Sequence, residues 1–228
     1  MDRRYYAEFI ATAILVFAGC GAIVVETLTG ALGHSGVALT WGFIVVALIY
    51  TFGHISGAHM NPAVTISFYA IGEFKREDLL GYISAQILGA IVGSALLYIL
   101  FLEEGKSMKE LAYLGSTIPS GSNMQAFVME LILTFILMLV ICGSAVHGKA
   151  IKSFAGLAIG LTVGLEAMFA GPITMASMNP ARSIGPALVS GNLVTVWLYV
   201  VATISGALLA VFVYKKLLKC KDALECEI

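Results

Sequence analysis

Two tripeptides, Asn61-Pro62-Ala63 and Asn179-Pro180-Ala181, are the strongest chemical signals in the chain. Pro at the first helical position behind an Asn cap is a helix start, so residues 61–70 and 179–189 read as short helices. Both are too short to cross a bilayer, which takes about 20 apolar residues. Each follows a Gly/Ser/Ala-rich stretch, Ile55 to Met60 and Gly171 to Met178. A helix N terminus carries roughly half a positive charge. Two that face each other form a positive focus opposing cations and hydronium, and the amides of Asn61 and Asn179 can donate to one passing oxygen. A water held from both sides is oriented, which interrupts a proton wire. Arg182, three residues beyond Asn179, is a lone arginine in an apolar neighbourhood and therefore a functional candidate. At the outer mouth of a pore it would offer fixed donors and repel cations. Glu8 and Glu130 are acids inside apolar runs. They read as acceptors for free backbone N–H groups ahead of the short helices, a supporting role and not a proton relay. His59, two residues before Asn61, offers its carbonyl to such a pore and a titratable ring for gating.

Composition says what must position these groups. The chain has 228 residues, a formal net charge of −1, 59% hydrophobic and 12% charged residues, and its mean hydropathy is +0.94. A soluble domain is nearer half apolar and a quarter charged. These figures exclude a disordered chain, a basic nucleic-acid binder and a coiled coil, and they leave too little polar surface for a soluble enzyme. Long apolar segments run near 6–26, 37–55, 82–102, 124–146, 154–171 and 194–214. In lipid each must be a helix to satisfy its backbone. The first overruns a signal peptide's apolar region and has no convincing cleavage site, so it reads as a retained span. Cys20, Cys142, Cys220 and Cys226 form no metal or disulfide pattern. There is no nucleophile–base set, metal cluster or phosphate-binding glycine loop.

With both termini on one side, that side collects ten Lys and Arg against two, Lys106 and Lys109, on the other. By the positive-inside rule the termini are cytoplasmic. The chain also repeats. Glu8-Phe9-Ile10 matches Glu130-Leu131-Ile132, and Glu8 precedes Asn61 by 53 residues as Glu130 precedes Asn179 by 49. His59 to Thr65 matches Ser177 to Ser183, and Ala85 to Ala90 echoes Ala202 to Ala207. Three spans per half invert the second half relative to the first, a transport architecture. The expected fold is an all-α membrane protein: six transmembrane helices plus two re-entrant half-helices in an inverted 3+3 repeat. It forms one channel domain over 1–228, with repeats at about 1–110 and 124–220. Glycines 89, 93, 156, 160, 164 and 206 offer a close-packing seam.

The paired boxes with Arg182 resemble the aquaporin, or major intrinsic protein, family over essentially the whole chain. The resemblance implies a homotetramer with one pore per subunit, passing water or small neutral solutes with protons and ions excluded. The family's outer constriction has four positions, which fall here on Trp41, Ala167, Ala176 and Arg182. Strict water channels resemble Phe, His, a small polar residue and Arg at these places. Ala167 in the His position removes bulk, and Trp41 supplies an apolar face. One polar and one apolar wall suit a polyol such as glycerol, or a neutral metalloid hydroxide such as arsenous or boric acid. Ser183 and Ala187, where glycerol facilitators resemble Asp and Arg, depart toward water channels, and Tyr199-Val200 replaces an aromatic-Trp pair. The stretch Ala170-Gly171-Pro172…Ala176-Ser177-Met178-Asn179 is similar to the nodulin-like intrinsic proteins of plants and their prokaryotic relatives. Met175 stands where that group has glycine.

Rival readings are a strictly water-selective channel, a secondary transporter, and a structural junction protein. A transporter needs ionisable groups near the midplane. Glu26 lies near a span end, and Glu166 reads as facing a buried partner or another subunit. No cofactor, metal or nucleic-acid partner is expected. The tail Lys215-Lys216…Lys219-Cys220-Lys221 would meet anionic lipid headgroups. The plasma membrane is the default location.

Overall fold

The computed structural model describes residues 2–102 and 106–218. Glu103, Glu104, Lys219, Cys220, Lys221 and Cys226 lie outside the described residues. In chain order the helices are α1 (Arg3–Thr29), α2 (Gly33–Ser56), the short α3 (Pro62–Ile71), α4 (Arg76–Phe101), the single turn α5 (Ala112–Gly115), α6 (Asn123–Ile141), α7 (Ala155–Thr174), the short α8 (Pro180–Ser190) and α9 (Val196–Val213). Helix α6 continues as a π-helix over Cys142–Val146, and α9 does so over Tyr214–Leu218. Among the described residues no strand occurs, and six helices are long and apolar enough to cross a membrane.

Several helices overrun their apolar segments. Helix α1 begins at Arg3, where the Asp2 side chain caps it by accepting from the Arg4 N–H. Helix α4 begins at Arg76, with Glu77 and Asp78 in its first turn, where acids favour the positive helix end. Hydropathy marks the stretch in hydrocarbon, whereas the hydrogen-bonded helix continues into the interface. Helix α7 passes through Pro172 to Thr174. Pro172 has no N–H for the Met168 carbonyl four residues back. The His34 ring takes that place, with Nε2 at 2.7 Å from the Met168 oxygen.

Inside the bundle, α1 packs along α4, α6 along α9, and α2 along α7. Lipid supplies no hydrophobic drive between helices, so close backbone approach must do the work. A Cβ on Gly89 would collide with the Phe9 carbonyl, and one on Gly206 with the Leu131 carbonyl. Phe9 and Leu131 each follow a repeat glutamate, so both halves make the same approach. Helix α3 packs on α9, and α8 packs on α4. Each short helix is thus held against the last long helix of the other half. Large apolar side chains such as Phe43, Ile99 and Leu165 point outward, while Glu8, Gln86, Glu130, Glu166 and Arg182 are buried.

Candidate functional site

The stretches ahead of the two short helices follow the same course. Each leaves its long helix through a left-handed residue, Gly57 (φ 85°) after α2 and Met175 (φ 66°) after α7. Ala58 and Ala176 are left-handed next, then Met60 and Met178. Such backbone costs roughly 1–2 kcal/mol per non-glycine residue and persists where surroundings determine it. Those surroundings are two buried carboxylates. Glu8 Oε1 accepts from the Ser56 hydroxyl (2.7 Å) and the His59 N–H (2.9 Å), and Oε2 accepts from the Met60 N–H (2.7 Å) and Gln86 Nε2 (2.8 Å). Glu130 Oε1 accepts from the Thr174 hydroxyl (2.7 Å) and the Ser177 N–H (2.8 Å), and Oε2 from the Met178 N–H (2.9 Å). Tyr82 and Tyr199 complete the symmetry, donating to the Ser56 and Thr174 carbonyls at 2.8 and 2.9 Å.

Asn61 and Asn179 cap α3 and α8. Oδ1 of Asn61 accepts from the Ala63 N–H, and Oδ1 of Asn179 from the N–H groups of Ala181 and Arg182. Pro62 and Pro180 occupy the first helical positions. The amide nitrogens reach across the molecule: Asn61 Nδ2 donates to the Met178 carbonyl (2.8 Å), and Asn179 Nδ2 to the Met60 carbonyl (2.7 Å). An amide nitrogen carries two hydrogens, so each Asn retains one beyond this cross-link. Both residues line a cavity of about 130 Å³ together with His59, Trp41 and Arg182. The His59 ring stacks on Phe68 at 4.5 Å, with Nδ1 at 3.1 Å from the Thr65 hydroxyl.

A second cavity, about 490 Å³, lies toward the C-terminal ends of α1 and α7, and its lining includes Ala167 and Met175. Trp41 is the residue common to both linings. Its ring lies 4.8 Å from the Arg182 guanidinium carbon, a cation–π contact, and packs so close to Gly19 that a Cβ there would sit at 2.5 Å. Arg182 is 1% exposed. Its Nη1 donates to the Gly115 carbonyl at 2.6 Å, while Nε and Nη2 have no hydrogen-bond partner among the described residues. Trp41 and Arg182 are therefore brought together, and Ala167 shares the second cavity's lining with Trp41. Ala176 is not brought to either lining; it is buried, and its N–H donates to the Thr174 hydroxyl at 3.2 Å.

Glu166 departs from its expectation. It is 1% exposed, so it faces no other subunit, and neither carboxyl oxygen has a hydrogen-bond partner among the described residues. Glu26 is structural, with Oε2 accepting from the Leu32 and Gly33 N–H groups at 2.8 Å each. Sequence reasoning missed Gln86, which bridges Glu8 and Thr65, and the 111–117 stretch. There Leu111 and Leu114 are fully buried, Gly115 orients Arg182, and Thr117 donates to Ser183 at 3.0 Å. The apolar run Leu111 to Leu114, directly after the charged Lys109 and Glu110, was the available signal.

Against known proteins, residues 1–214 match the family model of the major intrinsic proteins. The chain is 44% identical to nodulin-26 of Glycine max, covering 93% of this chain and 76% of that protein. It is 46% identical to aquaporin NIP3-1 of Arabidopsis thaliana, over 97% of this chain and 69% of the relative. Among solved structures, it is similar to the aquaglyceroporin from Plasmodium falciparum, with a TM-score of 0.87, 29% identity and 99% of each chain covered.

Proposed function

The chain belongs to the major intrinsic protein family and is a multi-pass membrane channel for water and small neutral solutes such as glycerol, and we propose that the conducting path runs through the two cavities that meet at Trp41. The observation that carries this path is the pair of donors on buried Arg182 that have no partner among the described residues. An unpaired buried donor costs about 1–3 kcal/mol. A water or hydroxyl oxygen passing Arg182 removes that cost without being bound for long.

The steps follow from the residues. A solute leaves bulk water in the wide outer cavity, loses part of its shell, and presents oxygen to Arg182 and carbon to Trp41. It then meets the remaining amide hydrogens of Asn61 and Asn179 and the N termini of α3 and α8. Donors from both sides turn the oxygen so that it cannot accept a proton from one neighbour and pass it to the next. The positive helix ends and Arg182 repel cations. Small Ala167 and apolar Trp41 favour glycerol, and neutral metalloid hydroxides such as arsenous or boric acid fit the same two-walled site. The path calls for no covalent step, in keeping with a family of channels. We propose further that the protein is a homotetramer in the plasma membrane and that its termini are cytoplasmic, the last of these supported by the ten-to-two distribution of Lys and Arg.

The test is stopped-flow light scattering on proteoliposomes under water, glycerol and arsenous acid gradients. Glycerol flux is expected, and Ala167→His should lower it about tenfold or more, with water flux largely kept. Rapid water flux with neither solute crossing would overturn the wide-filter reading in favour of a water-selective channel.

A further inference from the structure

We infer that Met175 is a specificity-determining residue of this channel, its side chain forming part of the outer wall and setting the largest solute that reaches Arg182. This inference rests on the conducting path proposed above. Three observations lead to it.

The first is the backbone. Met175 caps α7 in the left-handed conformation, at φ 66° and ψ 6°. The matching position in the first half is Gly57, which caps α2 at φ 85° and ψ −7°. The alignment of the halves is fixed by Ser56 and Thr174 on one side and Asn61 and Asn179 on the other. Glycine takes this conformation without steric penalty, and a side chain does so at some cost. The fold therefore calls for glycine here, and the second half carries a long side chain instead.

The second is location. The penalty falls on a residue that lines the outer cavity, in company with Ala167, Gly171, Pro172 and Trp41. Gly57 lines the inner cavity, where it adds no bulk. Strain kept at a site that substrates must pass points to function.

The third is the chemistry of the remaining wall. Among the described residues the cavity has two ionisable residues in its lining, Glu26 and His34. The first accepts the Leu32 and Gly33 N–H groups, and the second is bonded to the Met168 carbonyl. With these groups committed, discrimination before Arg182 depends on shape and apolar contact. Ala167 supplies little bulk. Met175, unbranched and adaptable, fills part of the space beside it. Solutes with a slim carbon edge slide past, and broader ones do not.

The test is solute flux into proteoliposomes for water, glycerol, erythritol and xylitol. Met175→Gly should raise erythritol and xylitol flux about tenfold relative to glycerol. Phe169→Ala, a change on the outward face of the same helix, serves as the control and should leave the ratio unchanged. In a Cys220→Ser, Cys226→Ser background, Met175→Cys should react with a charged methanethiosulfonate added on both sides, and glycerol flux should fall. If wild type conducts glycerol but Met175→Gly keeps the same size limit and the thiol reagent has no effect, this inference is overturned and the channel reading stands. If wild type passes no solute, the channel reading itself fails.

Discussion

Glu130 accepts two backbone N–H groups and one hydroxyl from the stretch that leads into α8. Glu130→Ala would leave those donors buried and unpaired, at about 1–3 kcal/mol each. The expected outcome is a marked drop in the thermal unfolding midpoint in detergent, and Glu130→Gln should recover only part of it because one oxygen is lost. Arg182 acts on passing charge. A unit charge held near 4 Å at an effective dielectric of about 20 opposes another by roughly 4 kcal/mol. Arg182→Val should therefore raise proton permeation by about a hundredfold or more in a pH-dye assay, while water flux persists. Much of this chemistry was legible. Spacing alone paired Asn61 with Asn179 and Glu8 with Glu130, and an arginine inside an apolar run announces itself. Gln86 was not legible in its role, because an amide in a span does not say which neighbour it serves. Nor could the sequence indicate that each Asn amide spends one hydrogen on the opposite half.

At the scale of elements, the long helices meet where they are smallest. Gly89 and Gly206 touch backbone oxygens of α1 and α6, so any Cβ must push the pair apart. Gly89→Val or Gly206→Val should each cost about 1–3 kcal/mol or more and reduce the yield of folded protein, measured as the monodisperse fraction in size-exclusion chromatography. Helix α7 depends on a residue outside itself, since the His34 ring bonds the carbonyl that Pro172 frees. His34→Ala should loosen the last turn of α7 and raise amide hydrogen exchange over residues 168–175. The helices themselves were readable from hydropathy, and the half-helices from their caps. The turn at 112–115 was not, because Tyr113 and Leu114 adopt left-handed backbone that no local propensity favours. It is shaped by the buried site it closes.

On the whole-molecule scale, the outward faces carry Phe43, Ile99, Leu165 and Phe212, while Glu8, Glu130, Glu166 and Arg182 are buried in an otherwise apolar interior. Composition alone conveyed that apolar exterior, and the odd number of spans per half conveyed the antiparallel relation of the repeats. The cavity walls were less legible, since Ala176 belongs to neither lining and Trp41 joins the two. A homotetramer implies about four times the 24.1 kDa chain mass, once bound detergent is subtracted in light scattering. Four copies would give four independent paths, so flux per chain should not change with tetramer occupancy.

The exchange of hydrogen bonds between Asn61 and Met178, and between Asn179 and Met60, bears on how the molecule is born. A ribosome delivers residue 61 well before residue 178, and helix α3 rests on α9, the last to emerge. Until then the first half-helix has neither its amide partner nor its supporting wall. Bare backbone at membrane depth is not tolerated in lipid, so the nascent segment around 57–71 should wait at the water interface or under a chaperoning surface. A chain arrested near residue 120 should leave a cysteine introduced at Ala63 open to water-soluble thiol reagents, and the finished chain should bury it. On that account the passage through the membrane is the last feature to form.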